Sequence, residues 1–260
     1  MTTCFNRAGS IGRCMESVLA QDYQDIEYIV IDGMSTDGTL DIINKQRLCA
    51  ESEDFIREHP SFTMHVVSEP DGGMYEALNK GIRMATGDII AMLHSDDAYY
   101  DDSTLTAVVS AFDATGCDLL YADGLYVSPT RRGRVVRDWR GSSFSRWKVR
   151  HGWLPLHTTC YVTAAAVERL GLYDEQYKIA ADTDFLLRYL TDGTLRVHYL
   201  RRYVVRMLMG GMSTSADKRR RMWNEDVNIY ARHGFKHPVI AKIEKMAWKV
   251  PQFVRGLFMR

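Results

Sequence analysis

Gly87-Asp88-Ile89-Ile90-Ala91-Met92-Leu93-His94-Ser95-Asp96-Asp97 is the stretch that decides how this chain folds. Ile89 to Leu93 is a continuous apolar run, which is typical of a strand buried on both faces. Asp96 and Asp97 follow the run almost directly. Because ligands of open α/β sheets bind at the carboxyl ends of the strands, we expect both carboxylates to lie at a binding edge.

Asp96 and Asp97 allow two interpretations. Adjacent carboxylates repel each other unless a cation or hydroxyl donors compensate, and a hard ion such as Mg²⁺, held by one or two carboxylates and by substrate phosphates, meets that need. Alternatively, they belong to an acidic turn that caps the next helix, because Asp101, Asp102 and Ser103 follow and are good N-cap residues. Their position in the sequence leaves both interpretations open.

Strand and helix patterns alternate over the first hundred residues. The order β-α-β-α-β-α-β predicts an α/β fold with a mostly parallel, doubly wound sheet. Four loops would then share one edge of the sheet, and three of them carry carboxylates, which is more than structural turns require. These loops are Phe5–Arg7, Asp32–Thr39, Ser68–Gly73 and His94–Ala98.

Bulk properties narrow the class of protein. The formal net charge is zero, which argues against a nucleic-acid partner for the whole molecule. The five cysteines are scattered and form no C-x-x-C pair, which argues against a zinc ribbon or disulfide framework and favours a cytoplasmic location. No apolar run reaches the ~18 residues of a membrane span.

Basic residues are nevertheless concentrated in one segment. Arg131 to Arg150 contains eight basic residues against one acid, Asp138, with Trp139, Trp147 and Trp153 interleaved. This segment is either a solvated hairpin face or a surface for an anionic or sugar-bearing acceptor or for lipid headgroups. Nucleic acid would fit the local pattern, but the zero net charge argues against it.

The C-terminal segment is also basic. Lys236 to Arg260 has six basic residues against Glu244, and its apolar residues recur at helical spacing. A basic amphipathic helix can lie in a membrane interface, which would make the protein peripheral on the inner face of the plasma membrane. It can equally pack on the domain or on a second subunit of a homodimer.

Four motifs resemble glycosyltransferase family 2, whose members have the GT-A fold. Together they span about residues 1–190 in the family's order. The segments Ser68–Tyr75, Leu156–Thr159 and Gly210–Ser213 look like the subgroup found in bacterial capsule, exopolysaccharide and O-antigen gene clusters. The four motifs are Phe5–Arg7 with Ser17–Gln21, Val30–Thr39, Asn79–Ile82 with Ala85–Asp88 and Ser95–Asp97, and Ala181–Leu186.

The resemblance implies transfer of a sugar from a UDP- or GDP-sugar to a glycan or lipid-linked oligosaccharide, with inversion. Asp97 would hold Mg²⁺ or Mn²⁺, and Asp96 would face the ribose or the metal's waters. Asp182 would deprotonate the acceptor hydroxyl, and a single base without an enzyme nucleophile gives inversion. The remaining donor contacts would come from Thr3, Phe5, Arg7, Asp32, Asp71 and Asn79.

The sequence departs from the family pattern at several positions. Gly33 replaces the usual second acid after Asp32. Ala181 replaces the acid that usually precedes Asp182, so Asp184 is a rival for the base. His94 stands where some members have a first acid, and it is either an extra ligand or a structural histidine. The first strand is also shorter than usual, so we expect either a misassigned start or a shortened, less stable strand.

We expect three functional regions. Residues 1–98 would bind the nucleotide sugar, residues 99–208 would bind the acceptor and carry the base, and residues 209–260 would form a flexible loop at Gly210–Thr214 and amphipathic helices. Two other functions stay open: a nucleotidyltransferase or other sugar-nucleotide enzyme, which needs no base at Asp182, and a non-enzymatic glycan- or lipid-binding protein. The intact Asp96, Asp97 and Asp182 argue against a decayed site.

Overall fold

A computed structural model describes residues 1–130, 133–209 and 216–259. The predicted loop at Gly210–Thr214 and two arginines of the basic segment, Arg131 and Arg132, lie outside the described residues. The strands are β1 (Thr2–Cys4), β2 (Glu27–Asp32), β3 (Thr63–Ser68), β4 (Ile89–Ala91), β5 (Asp97–Tyr99), β6 (Leu119–Val127), β7 (Val135–Trp139), β8 (Cys160–Thr163) and β9 (Val197–Leu208).

Helices follow most strands of the first half and dominate the C-terminal part. They are α1 (Ile11–Leu19), α2 (Thr39–Ala50), α3 (Glu53–Glu58), α4 (Met74–Met84), α5 (Thr104–Thr115), α6 (Arg146–Arg150), α7 (Ala164–Leu170), α8 (Ala181–Thr191), α9 (Ala216–Arg232), α10 (Pro238–Ala247) and α11 (Val250–Phe258). A 3₁₀ turn at His157–Thr159 precedes β8.

The first half folds as its apolar pattern predicts. In α1, Ile11, Cys14, Met15 and Val18 are buried, which is the 3–4-residue spacing of an amphipathic helix. β1, β2 and β3 pair in parallel in that order. The alternation of strands and helices therefore produces the parallel sheet that the sequence predicts.

β4 lies beside β1 and links this sheet to a second one. The Met1 amine donates to Ala91 O at 2.9 Å, and Leu93 N donates to Met1 O at 3.0 Å, which is the pattern of parallel pairing. The second sheet has the order β4-β8-β6-β9-β5, and β7 also pairs with β6. One continuous layer therefore runs from β3 to β5.

The α/β class is confirmed, but parallel pairing is less extensive than predicted. In the second sheet, only β6 and β9 are parallel, and β8 runs antiparallel to both β4 and β6. Ile89, Ile90 and Ala91 of β4 are half-buried rather than buried on both faces. Residues of α4 and α8 nevertheless pack near Ile90 on one face, and residues of α5 pack near Ile89 and Ala91 on the other.

The C-terminal helices pack closely on the domain. Gly152 has φ +73°, and a Cβ there would meet the Ala241 carbonyl oxygen and approach Lys245 N of α10 to 2.6 Å. A Cβ at Gly256 of α11 would lie 2.5 Å from Val136 O of β7. Of the interpretations of the basic tail, packing on the domain is therefore the one observed. Among the described residues, no helix combines the length and apolarity needed to cross a bilayer.

Candidate active site

The loops at the carboxyl ends of β1 to β4 surround one cavity of about 1000 Å³. It is lined by Thr3–Arg7, Gly33, Asp71–Gly73 and His94–Asp97. The prediction that these four loops share an edge is confirmed. Asp182, at the start of α8, lines the same cavity. The first and the last of the four sequence motifs therefore meet at one site.

Asp97 is the most buried acid of the loops after β1 to β4 that line the cavity. Its side chain is almost inaccessible, and its Oδ2 has no hydrogen-bond partner among the described residues. Burial, reinforced by the charge of Asp96, raises the pKa of Asp97 well above its ordinary value. A carboxylate oxygen in this position needs a cation or a proton as partner, because burying an unpaired charge is costly.

Asp96 is better satisfied than Asp97. Its Oδ1 accepts a hydrogen bond from Ser10 Oγ at 2.6 Å, and its Oδ2 lies 3.4 Å from Arg7 Nε. Its side chain remains about one-third exposed to the cavity. The acidic-turn interpretation of this pair accounts for Asp101, whose Oδ1 accepts from Thr104 Oγ1 at 3.1 Å, but not for the orphaned oxygen of Asp97.

The donor set of the Asp96–Asp97 pair fits a hard divalent ion. One or two carboxylates are the usual protein share of a Mg²⁺ site completed by substrate phosphates and water. No group of three or more metal-ligating side chains occurs in the described part of the chain, and a site completed by substrate phosphates requires none. The orphaned Asp97 Oδ2 is the atom that most needs such an ion.

Asp182 contacts His157, which is in turn hydrogen-bonded to His94. Its Oδ2 lies 3.5 Å from His157 Nδ1, and His157 Nε2 lies 2.9 Å from His94 Nε2. Burial, with His157 adding to it, lowers the pKa of His94 to about 3, and burial also lowers the pKa of His157 although Asp182 opposes this. Both rings are therefore neutral near pH 7, and one Nε2 donates to the other. His94 is thus bonded to His157, as a structural histidine would be.

Asp184 does not reach the cavity, which argues against its role as a rival base. Its Oδ1 lies 2.9 Å from His233 Nε2, and its Oδ2 accepts from Arg188 Nη2 at 3.2 Å. Burial alone would raise the pKa of Asp184, but His233 and Arg188 outweigh it and hold the pKa below the ordinary value. An acid held in two such contacts is a poor proton acceptor.

Besides Asp96, four of the six other predicted donor residues line the cavity. They are Thr3, Phe5, Arg7 and Asp71, and Phe5 is largely exposed. Gly33 makes room for Asp71, because a Cβ at Gly33 would stand 2.8 Å from Asp71 Oδ2. The replacement of the usual acid at this position therefore lets another carboxylate approach. Donor binding by these residues stays a prediction.

Asp32 and Asn79 do not line the cavity, and their contact with the donor stays a prediction. Asp32 is fully buried and accepts from both hydroxyls of Ser35 and Ser68, the latter at 2.7 Å. Asn79 Nδ2 donates to Tyr173 O at 2.9 Å. Both side chains hold loops in place, because a buried polar group must satisfy its own hydrogen bonds.

The far end of the cavity was not anticipated. It is formed by β7 and by α10, α11 and the residues between them, and its polar lining has the side chains Arg137, Lys245, Lys249 and Gln252 with Trp139 and Trp248. The sequence signal was the concentration of basic residues in two segments. Arg131 to Arg150 was interpreted as a solvated face or as a surface for an anionic acceptor, and the C-terminal segment as a helix at a membrane or packed on the domain, but the sequence did not show that the two segments meet. Of the interleaved tryptophans, Trp153 is buried in the core and Trp147 is exposed.

Comparisons with known proteins agree with this architecture. The family model described as "Glycosyl transferase family 2" matches residues 1–175. A PGL/p-HBAD biosynthesis glycosyltransferase of Mycobacterium bovis is 29% identical over 197 residues, which cover 75% of this chain and 70% of that protein.

Two solved structures share the fold. Residues 1–349 of S. aureus TarS in complex with UDP-GlcNAc align with a TM-score of 0.64 and 17% identity over 99% of this chain and 71% of that one. The mannosyltransferase PcManGT from Pyrobaculum calidifontis, in complex with GDP-Man and Mn²⁺, aligns with a TM-score of 0.63 and 19% identity over 99% and 72%. With the family model covering two-thirds of the sequence, the chain belongs to glycosyl transferase family 2.

Proposed function

We propose that this chain is an inverting, metal-dependent glycosyltransferase that moves a sugar from a UDP- or GDP-sugar to a lipid-linked glycan in bacterial surface polysaccharide synthesis. The observation that carries the proposal is that Asp97 and Asp182 line the same cavity. A nucleotidyltransferase would need no carboxylate at the position of Asp182, and a binding protein would need neither residue.

The donor would lie against the loops after β1 to β4. Thr3, Phe5 and Asp71 would contact the nucleoside, with Phe5 offering an exposed ring for stacking. Mg²⁺ or Mn²⁺, held by Asp97 with Asp96 beside it, would neutralise the developing charge of the leaving diphosphate. Arg7, which lies 3.4 Å from Asp96, adds a second positive charge at this end of the cavity.

Asp182 would act as the base. Its side chain is about 30% exposed and its carboxylate touches His157, which limits its rotation and leaves oxygen lone pairs for the acceptor hydroxyl. The proton of that hydroxyl moves to Asp182 as the oxygen attacks the anomeric carbon. With one base and no covalent intermediate, the configuration at that carbon inverts.

Related proteins support the choice of donor and acceptor. TarS and PcManGT are described in complex with UDP-GlcNAc and with GDP-Man and Mn²⁺. The mycobacterial relative is named for the biosynthesis of PGL/p-HBAD. Because the cavity is lined by the loops after β1 to β4 at one end and by Asp182, α10 and α11 elsewhere, we assign the donor to residues 1–98 and the acceptor and base to residues 99–208, and we extend the acceptor end to α10 and α11 within residues 209–260.

The outer face of α10 and α11 supports a contact with the cytoplasmic face of a membrane. Lys242 and Lys245 turn inward to Asp226, so they are not available to headgroups as the sequence pattern predicted. The apolar side chains face outward instead, which suits insertion into the interface of a bilayer. The exposed residues are Val239, Ile240, Ile243, Met246, Val250, Phe253, Val254, Leu257 and Phe258.

A donor panel with product analysis tests the proposed function. The protein would be incubated with UDP-, GDP- and dTDP-sugars and Mn²⁺, and the released nucleotide and the anomeric configuration of the product or hydrolysed sugar would be measured by NMR. We expect a nucleoside diphosphate and an inverted sugar from one donor. Release of pyrophosphate, or retention of configuration, would reject the proposal.

A further inference from the structure

Arg137 is a buried cation with unused hydrogen-bonding capacity at the far end of the cavity. It is 8% exposed, and its Nε donates to Gln252 Oε1 at 2.7 Å. Its guanidinium stacks on Trp139 at 4.1 Å from the ring centroid, yet its Nη2 has no hydrogen-bond partner in the part of the chain that the structure describes. Buried polar groups are rarely left unpaired, so this donor points to a missing acceptor atom.

Lys249 stands at the same end of the cavity. Its Nζ has no hydrogen bond or ion pair within the described ranges, and burial, together with the charges of Lys245 and Arg137, lowers the pKa of Lys249 to about 7. A lysine whose charged form is disfavoured by burial and by neighbouring cations does not stabilise the ligand-free protein. An anion beside it would restore the charge.

The surrounding charges do not neutralise this end of the cavity. Lys242 and Lys245 share Asp226, with Lys245 Nζ at 2.8 Å from its Oδ1. Arg137 adds a further cation, and Lys249 adds another when it is protonated, so positive charge exceeds the negative charge of Asp226 and Asp182. Such an excess in a cleft attracts anions more strongly than the same charges on a flat surface.

The cationic end of the cavity, at Arg137 and Lys249, is separate from the donor end, at Asp97. Asp97 pairs with Met207, Met207 with Tyr126, and Tyr126 with Arg137 across four neighbouring strands. Three strand spacings of ~4.8 Å separate the Cα atoms of Asp97 and Arg137 by about 14 Å. A donor diphosphate bound at Asp97 therefore leaves Arg137 for a different group.

We propose that Arg137 and Lys249 form a subsite for a phosphoryl group of the acceptor, in particular a glycan joined to lipid through a phosphate or diphosphate. The planar fork of an arginine and the point charge of a lysine are the usual partners of a phosphoryl group. Trp139 and Trp248 beside them offer apolar faces to the group attached to the phosphate. The inference rests on the proposed function, because it specifies the acceptor of that same site.

Pyrophosphate binding in EDTA tests the subsite without turnover. Chelation removes metal-dependent binding at Asp97, so calorimetry with pyrophosphate alone reports the cationic end. We expect the wild-type protein to bind and Lys249→Gln to weaken binding about tenfold, because a charge-assisted hydrogen bond is lost. Lys236→Gln, which removes an exposed lysine of the same C-terminal region, and Asp97→Asn should bind like the wild type.

Folding and competing explanations are controlled in the same experiment. Lys249→Gln removes a desolvated cation, so its melting temperature should not fall below that of the wild type. Equal binding by Lys249→Gln and the wild type would overturn the subsite, as would loss of binding in Asp97→Asn alone. If no sugar nucleotide of the donor panel reacts but pyrophosphate still binds, the proposed reaction is rejected and the subsite is retained.

A second titration identifies the source of the phosphoryl group. Geranyl diphosphate carries the same charge as methyl diphosphate and adds an isoprenoid chain. Tighter binding of geranyl diphosphate than of methyl diphosphate assigns the subsite to lipid-linked acceptors, and equal binding assigns it to a phosphorylated glycan. Binding of neither ester would overturn the proposal.

Discussion

Asp97 combines deep burial with an unpaired oxygen, and this residue carries the metal assignment. Asp97→Asn should remove metal-dependent donor binding, because the amide no longer offers a charged oxygen to the cation. Calorimetry with UDP and GDP in Mn²⁺ should show at least about a tenfold loss of affinity for the preferred nucleotide. The wild-type protein in EDTA should resemble the variant, and unchanged affinity in Mn²⁺ would exclude Asp97 as the ligand.

Lys249, which we propose binds a phosphoryl group, should lower the stability of the folded protein at low pH. Its pKa is about 7 in the folded protein against an ordinary 10.5, so the unfolded chain binds more protons between these values and the wild type becomes more stable as pH rises through this window. Lys249→Gln should therefore melt above the wild type at pH 6, and the difference should shrink toward pH 10. Thermal melts at pH 6 and pH 9 check this, and a constant or negative difference would contradict it.

The roles of Asp182 and Asp184 show what the sequence cannot separate. Both lie in the first turn of α8, where capping and catalysis predict the same residue type. Side chains two positions apart on a helix differ in direction by about 200° around the helix axis, so Asp182 and Asp184 lie on opposite faces of α8. Which face meets the cavity depends on the packing of α8 against α9, which supplies His233 just after its end, and no local pattern reveals that packing.

At the level of elements, Gly152 is the point where α10 docks. Gly152→Ala should lower the free energy of unfolding by about 1–3 kcal/mol more than Gly234→Ala. The two glycines have φ +73° and +72°, so both variants share the backbone strain, but only Gly152 faces α10 while nothing lies within 4 Å of a Cβ at Gly234. Urea unfolding measures the difference, and equal losses would show that α10 packs less closely.

Periodicity predicted α10 and α11 as amphipathic but left open which of their faces packs on the domain. A basic stripe beside an apolar stripe is normally exposed, with the apolar stripe buried. Here, Asp226 on α9 draws Lys242 and Lys245 inward, and the apolar stripe is left outside. The choice depends on a single buried carboxylate about twenty residues away, which a helical wheel does not include.

At the scale of the whole molecule, the fold of the first hundred residues could be predicted from the sequence, and the fold of the rest could be predicted less fully. Parallel β-α-β units arise from local alternation, so β1 to β4 and the four loops at their ends were predictable. The second sheet depends on which antiparallel strand enters between β4 and β6, and that is β8, some seventy residues after β4. Long-range pairing of this kind leaves no local signal.

The exposed apolar face should direct the molecule to membranes. Flotation with vesicles of phosphatidylglycerol and phosphatidylethanolamine should carry the wild-type protein, and the double variant Leu257→Glu, Phe258→Glu should remain in solution. Leu48→Glu is the matched control, because Leu48 of α2 is 64% exposed and Leu257 is 72% exposed. Light scattering that reveals a dimer lost in the double variant, without flotation, would assign this face to a second copy of the chain.

The central claim is that one cavity brings a donor held at Asp97 to a base at Asp182. Its most direct test is transfer and donor binding by Asp182→Asn, measured with the sugar nucleotide that the donor panel identifies. The account predicts unchanged donor affinity in Mn²⁺ and a loss of turnover of at least about 10²-fold, because a base acts only in the transition state. Turnover near that of the wild type would contradict it.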